Sequence, residues 1–186
     1  MKSAILFWAV NFVPVSVALA IFEIWLETTH KHGPWGKTAF DNPFWERQLG
    51  WPLPFLNYIT VYHAIVFLLV VPLTLTLGMA FWSKILGYQI FPVGCSRSVG
   101  ALSFTTLLVA MWFGNGGLED FLYFLIQSIT GWRTPDALQR VIFRKDMAWF
   151  KDWLPTVLGL SIPGHWLFCP SVAIALLYMR QRWIVS

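Results

Sequence analysis

The sequence is poor in charge. Charged residues make up 12% of its 186 residues, against roughly 25% in a typical soluble domain. Hydrophobic residues make up 57%, and the mean hydropathy is +0.61. Because the apolar runs are long enough to lie in lipid, this composition argues against a soluble domain. It predicts a multi-pass, all-α integral membrane protein.

Cysteine is also scarce, and no strongly basic or acidic block occurs. The two cysteines, Cys95 and Cys169, show no metal-ligand spacing and no close pairing, so neither a disulfide framework nor a zinc site is indicated. The formal charge of +4 comes from lysines and arginines scattered between apolar runs. Nucleic acid is therefore not expected as a partner, membrane lipids are, and no cofactor can be assigned.

The apolar runs predict a single transmembrane domain, residues 1–186, with about five membrane-spanning helices. The third and fourth runs are short for a crossing, which needs about 20 residues. If they form one broken segment at 99–131, the number of spans falls to four. The predicted spans are residues 3–27, 57–82, 99–113, 118–131 and 153–179.

Two segments outside the spans are expected at the membrane surface. Residues 28–56 are rich in Trp, Pro and Gly and predict an aromatic interfacial loop. Residues 135–150 alternate apolar and basic residues, which is typical of an amphipathic interfacial helix. With five spans, the side that holds Lys2, Lys84 and this basic helix carries more positive charge, which predicts a cytoplasmic amino terminus.

Two adjacent carboxylates follow a glycine-rich stretch in the middle of the chain. Gly114-Asn115-Gly116-Gly117 predicts a break, so Glu119 and Asp120 are expected in the first turn of a new helix. Carboxylates at membrane depth are costly and usually functional. The alternative is that they cap the helix, where the helix dipole stabilises negative charge by about 0.3–1 kcal/mol.

A polar stripe continues from this carboxylate pair. Glu119, Tyr123 and Gln127 follow one another at spacings of four, so they share one face of an otherwise apolar helix. A cap needs one carboxylate and no stripe. The pattern therefore favours a functional role.

Three of the other predicted spans carry an ionisable candidate: Glu23 with Glu27 in the first, His63 in the second and His165 in the last. Two interpretations follow. Carboxylate and imidazole ligands on facing helices can hold iron, manganese or zinc, and the candidate ligands are Glu23, Glu27, His63, Glu119 and His165. Without a metal, a desolvated carboxyl group can protonate a lipidic substrate while a second group takes a proton back; the candidate catalytic residues are then Glu119, Asp120, Glu23, His63, His165, Tyr123 and Gln127.

One segment resembles a known family. Gly114-Asn115 followed by Leu118-Glu119-Asp120-Phe121-Leu122-Tyr123-Phe124 is similar to the Gly-Asn-x-Pro-Leu-Glu-Glu-Phe-Leu-Phe-Phe signature of the membrane-embedded lycopene cyclases of carotenoid synthesis. It departs from that signature at Gly117, where the family has proline, and at Asp120, where it has a second Glu. The resemblance covers residues 114–127 only. It implies a small polytopic enzyme for proton-initiated, non-redox cyclisation of an isoprenoid, with the carboxylate pair involved.

Three functions therefore stay open. The first is an intramembrane enzyme doing acid/base chemistry on a lipid or isoprenoid, and the second is a metal-dependent membrane enzyme. The third is a non-catalytic subunit that packs against lipids, pigments or the helices of a larger complex. An enclosed cavity that joins Glu23, His63, Glu119 and His165 would favour an enzyme, whereas polar stripes that face outward or pair with a neighbouring chain would favour a subunit.

Overall fold

A computed structural model describes residues 2–29, 61–132, 135–144, 156–157 and 160–184. This part of the chain is nearly all helical, as the composition predicts. The elements are α1 (Lys2–Thr29), α2 (Val61–Ile65), α3 (Val71–Leu86), α4 (Arg97–Thr130), α5 (Ala137–Gln139), β1 (Thr156–Val157), β2 (Leu160–Ser161) and α6 (Gly164–Met179). Three π-helical stretches extend them, at Val66–Val70, Arg140–Arg144 and Arg180–Ile184.

Three of the described helical segments are long and apolar enough to cross a membrane, which indicates a membrane protein. They are Ile5–Trp25, Val66–Leu86 and Arg97–Thr130. Ile5–Trp25 lies within α1, so the first predicted span, 3–27, corresponds to α1. α6 has 16 residues and continues through the π-helical stretch to Ile184.

The structure corrects the prediction for the middle of the chain. Residues 99–113 and 118–131 were expected as two short crossings or as one broken segment. They form one continuous helix of 34 residues, Arg97–Thr130, which at about 1.5 Å per residue is about 50 Å long. Glu119 and Asp120 consequently lie inside a helix and not at a helix amino terminus, so they do not cap it.

Two of the three glycines that were expected to break this helix, Gly114 and Gly117, are packing residues. A Cβ on Gly114 would lie 2.9 Å from the Trp8 ring on α1. A Cβ on Gly117 would lie 3.0 Å from the Cβ of Cys169 on α6. Small residues let helix backbones approach closely in membrane proteins, and such packing offsets the roughly 1 kcal/mol of helix propensity that each glycine costs.

α4 is the central element, since it packs against α1 on one side and against α6 on another, while α3 packs mainly against α1. One buried apolar cluster lies between α1, α3 and α4 and includes Phe7, Leu75 and Met111. A second cluster lies further along α1 and α4 and includes Ile24 and Phe124. The charged residues of interest lie between and beside these clusters.

The second predicted span, 57–82, is helical from residue 61, where the described residues resume, and its helix continues to Leu86 with a π-helical stretch at Val66–Val70. The Val71 N–H donates to Val66 O across this stretch. In that pattern Phe67 O would accept from residue 72, which is a proline without an N–H. The indole N–H of Trp112 donates to Phe67 O instead, at 2.6 Å, which ties this helix to α4.

The start of α1, the connector at 87–96 and the end of α6 meet at one end of the helix bundle. The rings of Phe7 and Tyr88 stack with their centroids 4.1 Å apart, and Arg180 donates to Ile90 O at 2.9 Å. We call this the connector end and the opposite one the distal end. With five spans Arg180 was expected opposite Lys2; because α4 is a single helix, the two lie at the same end.

This arrangement removes the charge argument for a cytoplasmic amino terminus. That argument placed the basic segment at 135–150 on the side of Lys2. In the structure α5 follows the distal end of α4, and Leu138 N donates to Ser128 Oγ at 2.9 Å, so Arg140 lies at the opposite end from Lys2. The bias in lysine and arginine therefore no longer favours that side.

The remaining predicted segments are only partly described. Residues 135–150 give the three-residue helix α5 and the π-helical stretch Arg140–Arg144, and 145–150 lie outside the described residues. The loop at 28–56 lies outside them except for residues 28–29, which end α1. Within the last predicted span, 153–179, the helix α6 begins at Gly164. The short strands β1 and β2 pair antiparallel before Pro163.

Candidate functional site

A buried pair of carboxyl groups joins α1 to α4. The carboxyl groups of Glu23 on α1 and Glu119 on α4 lie close enough to interact, and the two residues are 8% and 2% exposed. Carboxylate oxygens only accept hydrogen bonds, so the two groups can bond to each other only when one of them is protonated. The pair is therefore a buried site that can hold a proton.

The buried polar residues continue along α4 on both sides of this pair. Ser16 of α1 donates to Asn115 Oδ1 at 3.1 Å, one turn before Glu119. Tyr123 and Gln127 follow at one and two turns after it, and both are buried. We call this set the polar seam; it consists of Ser16, Glu23, Asn115, Glu119, Tyr123 and Gln127.

Two atoms of the seam are buried without a hydrogen-bond partner in the described part of the chain. They are the amide nitrogen Nδ2 of Asn115 and the carboxyl oxygen Oε1 of Glu119. A hydrogen bond between Glu119 and Glu23 would therefore use the other oxygen of Glu119, Oε2.

Asp120 points to a different neighbour, α6. The Nε2 atom of His165 lies 2.8 Å from Asp120 Oδ2, and the indole N–H of Trp166 donates to the same oxygen at 2.5 Å. Pro163 ends the preceding segment, so both residues lie in the first turn of α6. His165 keeps 29% of its side chain exposed, whereas Asp120 is buried.

The two carboxylates therefore serve two separate contacts. Consecutive residues of an α-helix point about 100° apart, so Glu119 faces α1 while Asp120 faces α6. Adjacent positions in the sequence thus direct two ionisable groups toward two different neighbouring helices. The first is an acid pair and the second a carboxylate with an imidazole.

An apolar groove runs beside Asp120. Its volume is about 400 Å³, within the roughly 300–1,000 Å³ of small-molecule sites. Residues of α1, α4 and α6 line it, together with Ile162. The ring of Trp166 forms part of the wall, and Gly117 and Phe121 flank Asp120 on α4. The groove is lined by Trp8, Phe12, Gly114, Gly117, Leu118, Phe121, Ile162, Trp166, Leu167 and Pro170.

Of the five residues considered as metal ligands, the three whose side chains are described, Glu23, Glu119 and His165, do not form one cluster. No group of three or more His, Cys, Asp or Glu side chains in the described part of the chain could hold a metal ion. Glu119 is paired with Glu23, whereas His165 lies on the α6 side with Asp120. The side chains of Glu27 and His63 lie outside the described residues, although their backbones belong to α1 and α2.

Sequence reasoning missed three residues that the structure brings into play. Asn115 lies four residues before Glu119 and so extends the same stripe, a signal that was hidden because Asn115 was assigned to a break. Trp166 and Arg180 gave no periodic signal. Arg180 is 6% exposed and donates to Tyr88 and Ser103 as well as to the connector backbone.

No protein family, curated protein or solved structure matches this chain. The resemblance to lycopene cyclases is therefore confined to residues 114–127. In the structure this segment is the part of α4 that carries Asn115, Glu119 and Asp120 and that packs against both α1 and α6.

Proposed function

We propose that this protein is an intramembrane enzyme that moves protons to and from a lipid or isoprenoid substrate. The observation that carries the proposal is the placement of the two acidic groups inside the bundle: Glu119 lies against Glu23, and Asp120 is bonded to His165 and to Trp166, which lines an apolar groove. These groups face neighbouring helices of the same chain, which favours an enzyme over a subunit that would turn them outward.

The groove supports a hydrocarbon substrate. Its lining has aromatic, aliphatic and glycine positions but no charged side chain. Four rings, of Trp8, Phe12, Phe121 and Trp166, offer faces and edges against which a branched or conjugated chain packs well. A charged substrate would lose its hydration there without gaining a partner.

The two acid groups support a reaction without a redox step. A carbon–carbon double bond that gains a proton becomes a carbocation, and loss of a proton from a neighbouring carbon restores neutrality; no other reactant is consumed. Such an isomerisation or cyclisation requires one group that donates and one that accepts. Asp120 and His165 are linked to the groove through Trp166, which donates to Asp120 and lines the groove. Glu119, the residue before Asp120, belongs to the second acidic pair, which serves as a store of protons in this proposal.

The same proposal includes a multi-pass arrangement with both ends of the described chain on one side of the membrane. α1 and α4 run from the connector end to the distal end, while α3 and α6 run back. Four crossings return the chain to the side on which it started.

The test is a comparison of membrane lipids from cells that produce the protein with those from cells that do not. We expect a product with the same mass as its precursor and a different retention time, detected by chromatography and mass spectrometry. Glu119→Gln and Asp120→Asn should abolish it, whereas Thr130→Val, at the exposed end of the same helix, should not. Folding of each variant is checked by gel filtration in detergent.

Two results would contradict the proposal. One is an unchanged lipid profile when folded protein is present and precursor lipids with double bonds are supplied. The other is full product formation by folded Glu119→Gln and Asp120→Asn together. The accessory-subunit alternative would gain support from either result, because it predicts no dependence of lipid chemistry on these carboxylates.

A further inference from the structure

We propose that the polar seam conducts protons between the Glu23–Glu119 pair and the distal end of the bundle, with Tyr123 and Gln127 on the route. This deepens the proposed function, since an acid that protonates a substrate must be reloaded. It names the side from which the proton comes and residues that do not touch the groove.

The acid pair cannot exchange protons with water directly, because both of its side chains are almost fully buried. Toward the connector end, the space between α1, α3 and α4 is filled by the apolar cluster. Phe7, Leu107 and Met111 of that cluster have at most 1% of their surface exposed. The buried polar side chains in that direction are more widely spaced than those toward the distal end. On α1 the next one is Asn11, five residues before Ser16, and its amide donates back to Phe7 O of its own helix. On α4 the next one is Thr106, nine residues before Asn115.

Toward the distal end, polar groups continue to the surface of the helix. Tyr123 lies one turn beyond Glu119 and Gln127 one turn beyond that, each step about 6 Å along the axis. Both are buried, while Thr130 is exposed. A phenol hydroxyl and a primary amide each donate and accept hydrogen bonds, so both can pass a hydrogen-bonded chain from one neighbour to the next.

Other ionisable groups surround the route and define the alternative to it. Asp120 and His165 lie on the α6 side of α4, and the half-buried imidazole is a second possible entry for protons. At the distal end the described residues include Asp136 and Arg140 near α5. Glu27 lies one turn beyond Glu23 in α1, with its side chain outside the described residues.

The test uses infrared spectroscopy of the purified protein in lipid nanodiscs. The C=O stretch of a protonated carboxyl group shifts to lower frequency when its proton is replaced by deuterium, so the rate of the shift after transfer to D2O reports proton exchange. Glu119→Gln and Glu23→Gln assign the band to the pair. The rate is then compared in Tyr123→Phe, Gln127→Leu, His165→Asn and the matched control Tyr178→Phe, an exposed tyrosine near the connector end.

We expect exchange to slow by at least about tenfold in Tyr123→Phe and Gln127→Leu, with the band itself retained and with wild-type rates in Tyr178→Phe. Tenfold corresponds to about 1.4 kcal/mol in the barrier. Unchanged rates in both seam variants would overturn the proposal, and so would slowing in His165→Asn alone, which would place the route on the α6 side. These readouts do not require a substrate, so they are independent of whether Glu119→Gln abolishes product.

Discussion

Replacing Gly117 by alanine tests whether the glycines of α4 serve packing or bending. A Cβ at this position would lie 3.0 Å from the Cβ of Cys169 and 3.2 Å from the Cδ of Pro170, both on α6. Neither atom is the end of a flexible side chain, so neither can move aside easily. Gly116, the preceding residue, has no neighbouring atom within 4 Å of such a Cβ, which makes Gly116→Ala a matched control in the same turn.

Two effects of opposite sign set the expected magnitude. Alanine is more favourable than glycine inside a helix by about 1 kcal/mol, and this gain applies at both positions. Overpacking typically costs about 1–3 kcal/mol and applies only at Gly117. Gly116→Ala should therefore raise the free energy of unfolding by up to about 1 kcal/mol. Gly117→Ala should leave it unchanged or lower it by up to about 2 kcal/mol.

The free energy of unfolding is measured by denaturant titration in mixed micelles, with the helical circular dichroism signal as readout. The informative quantity is the difference between the two variants, because detergent and tag effects cancel in it. If both substitutions stabilise the protein equally, Gly117 is not in close contact with α6 and the packing explanation for the continuous helix is wrong.

Three further predictions concern the rest of the bundle. Arg180→Gln should lower the free energy of unfolding by roughly 2 kcal/mol or more, because hydrogen bonds to a buried charged group contribute about 1.5–3 kcal/mol. The control Arg182→Gln, at an exposed position, should change the free energy of unfolding little. Equal thermal midpoints in detergent for both variants would contradict this prediction. Trp112→Phe should lower the free energy of unfolding by about 0.5–1.5 kcal/mol more than the loss of ring volume explains, because the hydrogen bond from Trp112 to Phe67 O is lost. Trp82→Phe, measured in the same denaturant titration, supplies the volume effect alone. Reporter fusions at the two ends of the chain should report the same compartment, and opposite compartments would refute the four-crossing arrangement.

Some features of the site follow from local sequence alone. The spacing of Glu119, Tyr123 and Gln127 places them on one helix face whatever the helix packs against, because about 3.6 residues per turn is a property of the backbone. The same holds for Ser16 and Glu23 on α1. That both sets are buried agrees with the expectation that polar residues in lipid-spanning helices face the protein interior.

The continuity of α4 could not be read from the sequence. Gly114, Asn115, Gly116 and Gly117 have low helix propensity, and a local rule favours a break there. The Trp8 ring and the Cβ of Cys169 lie far away in sequence. A Cβ at Gly114 would lie 2.9 Å from the Trp8 ring, and a Cβ at Gly117 would lie 3.0 Å from the Cβ of Cys169. The prediction of a break between residues 113 and 118 was wrong for this reason.

The sequence by itself determined that the chain is helical and apolar enough for a membrane, and which side chains share a helix face, because composition and periodicity are local properties. Only the tertiary structure decided that Glu119 meets Glu23 while its neighbour Asp120 meets His165. Those contacts depend on how α1, α4 and α6 pack, and the packing depends on small residues that let three helices separated in sequence come close together. The carboxylates are adjacent in the chain, but the helix rotation between them gives each a different partner.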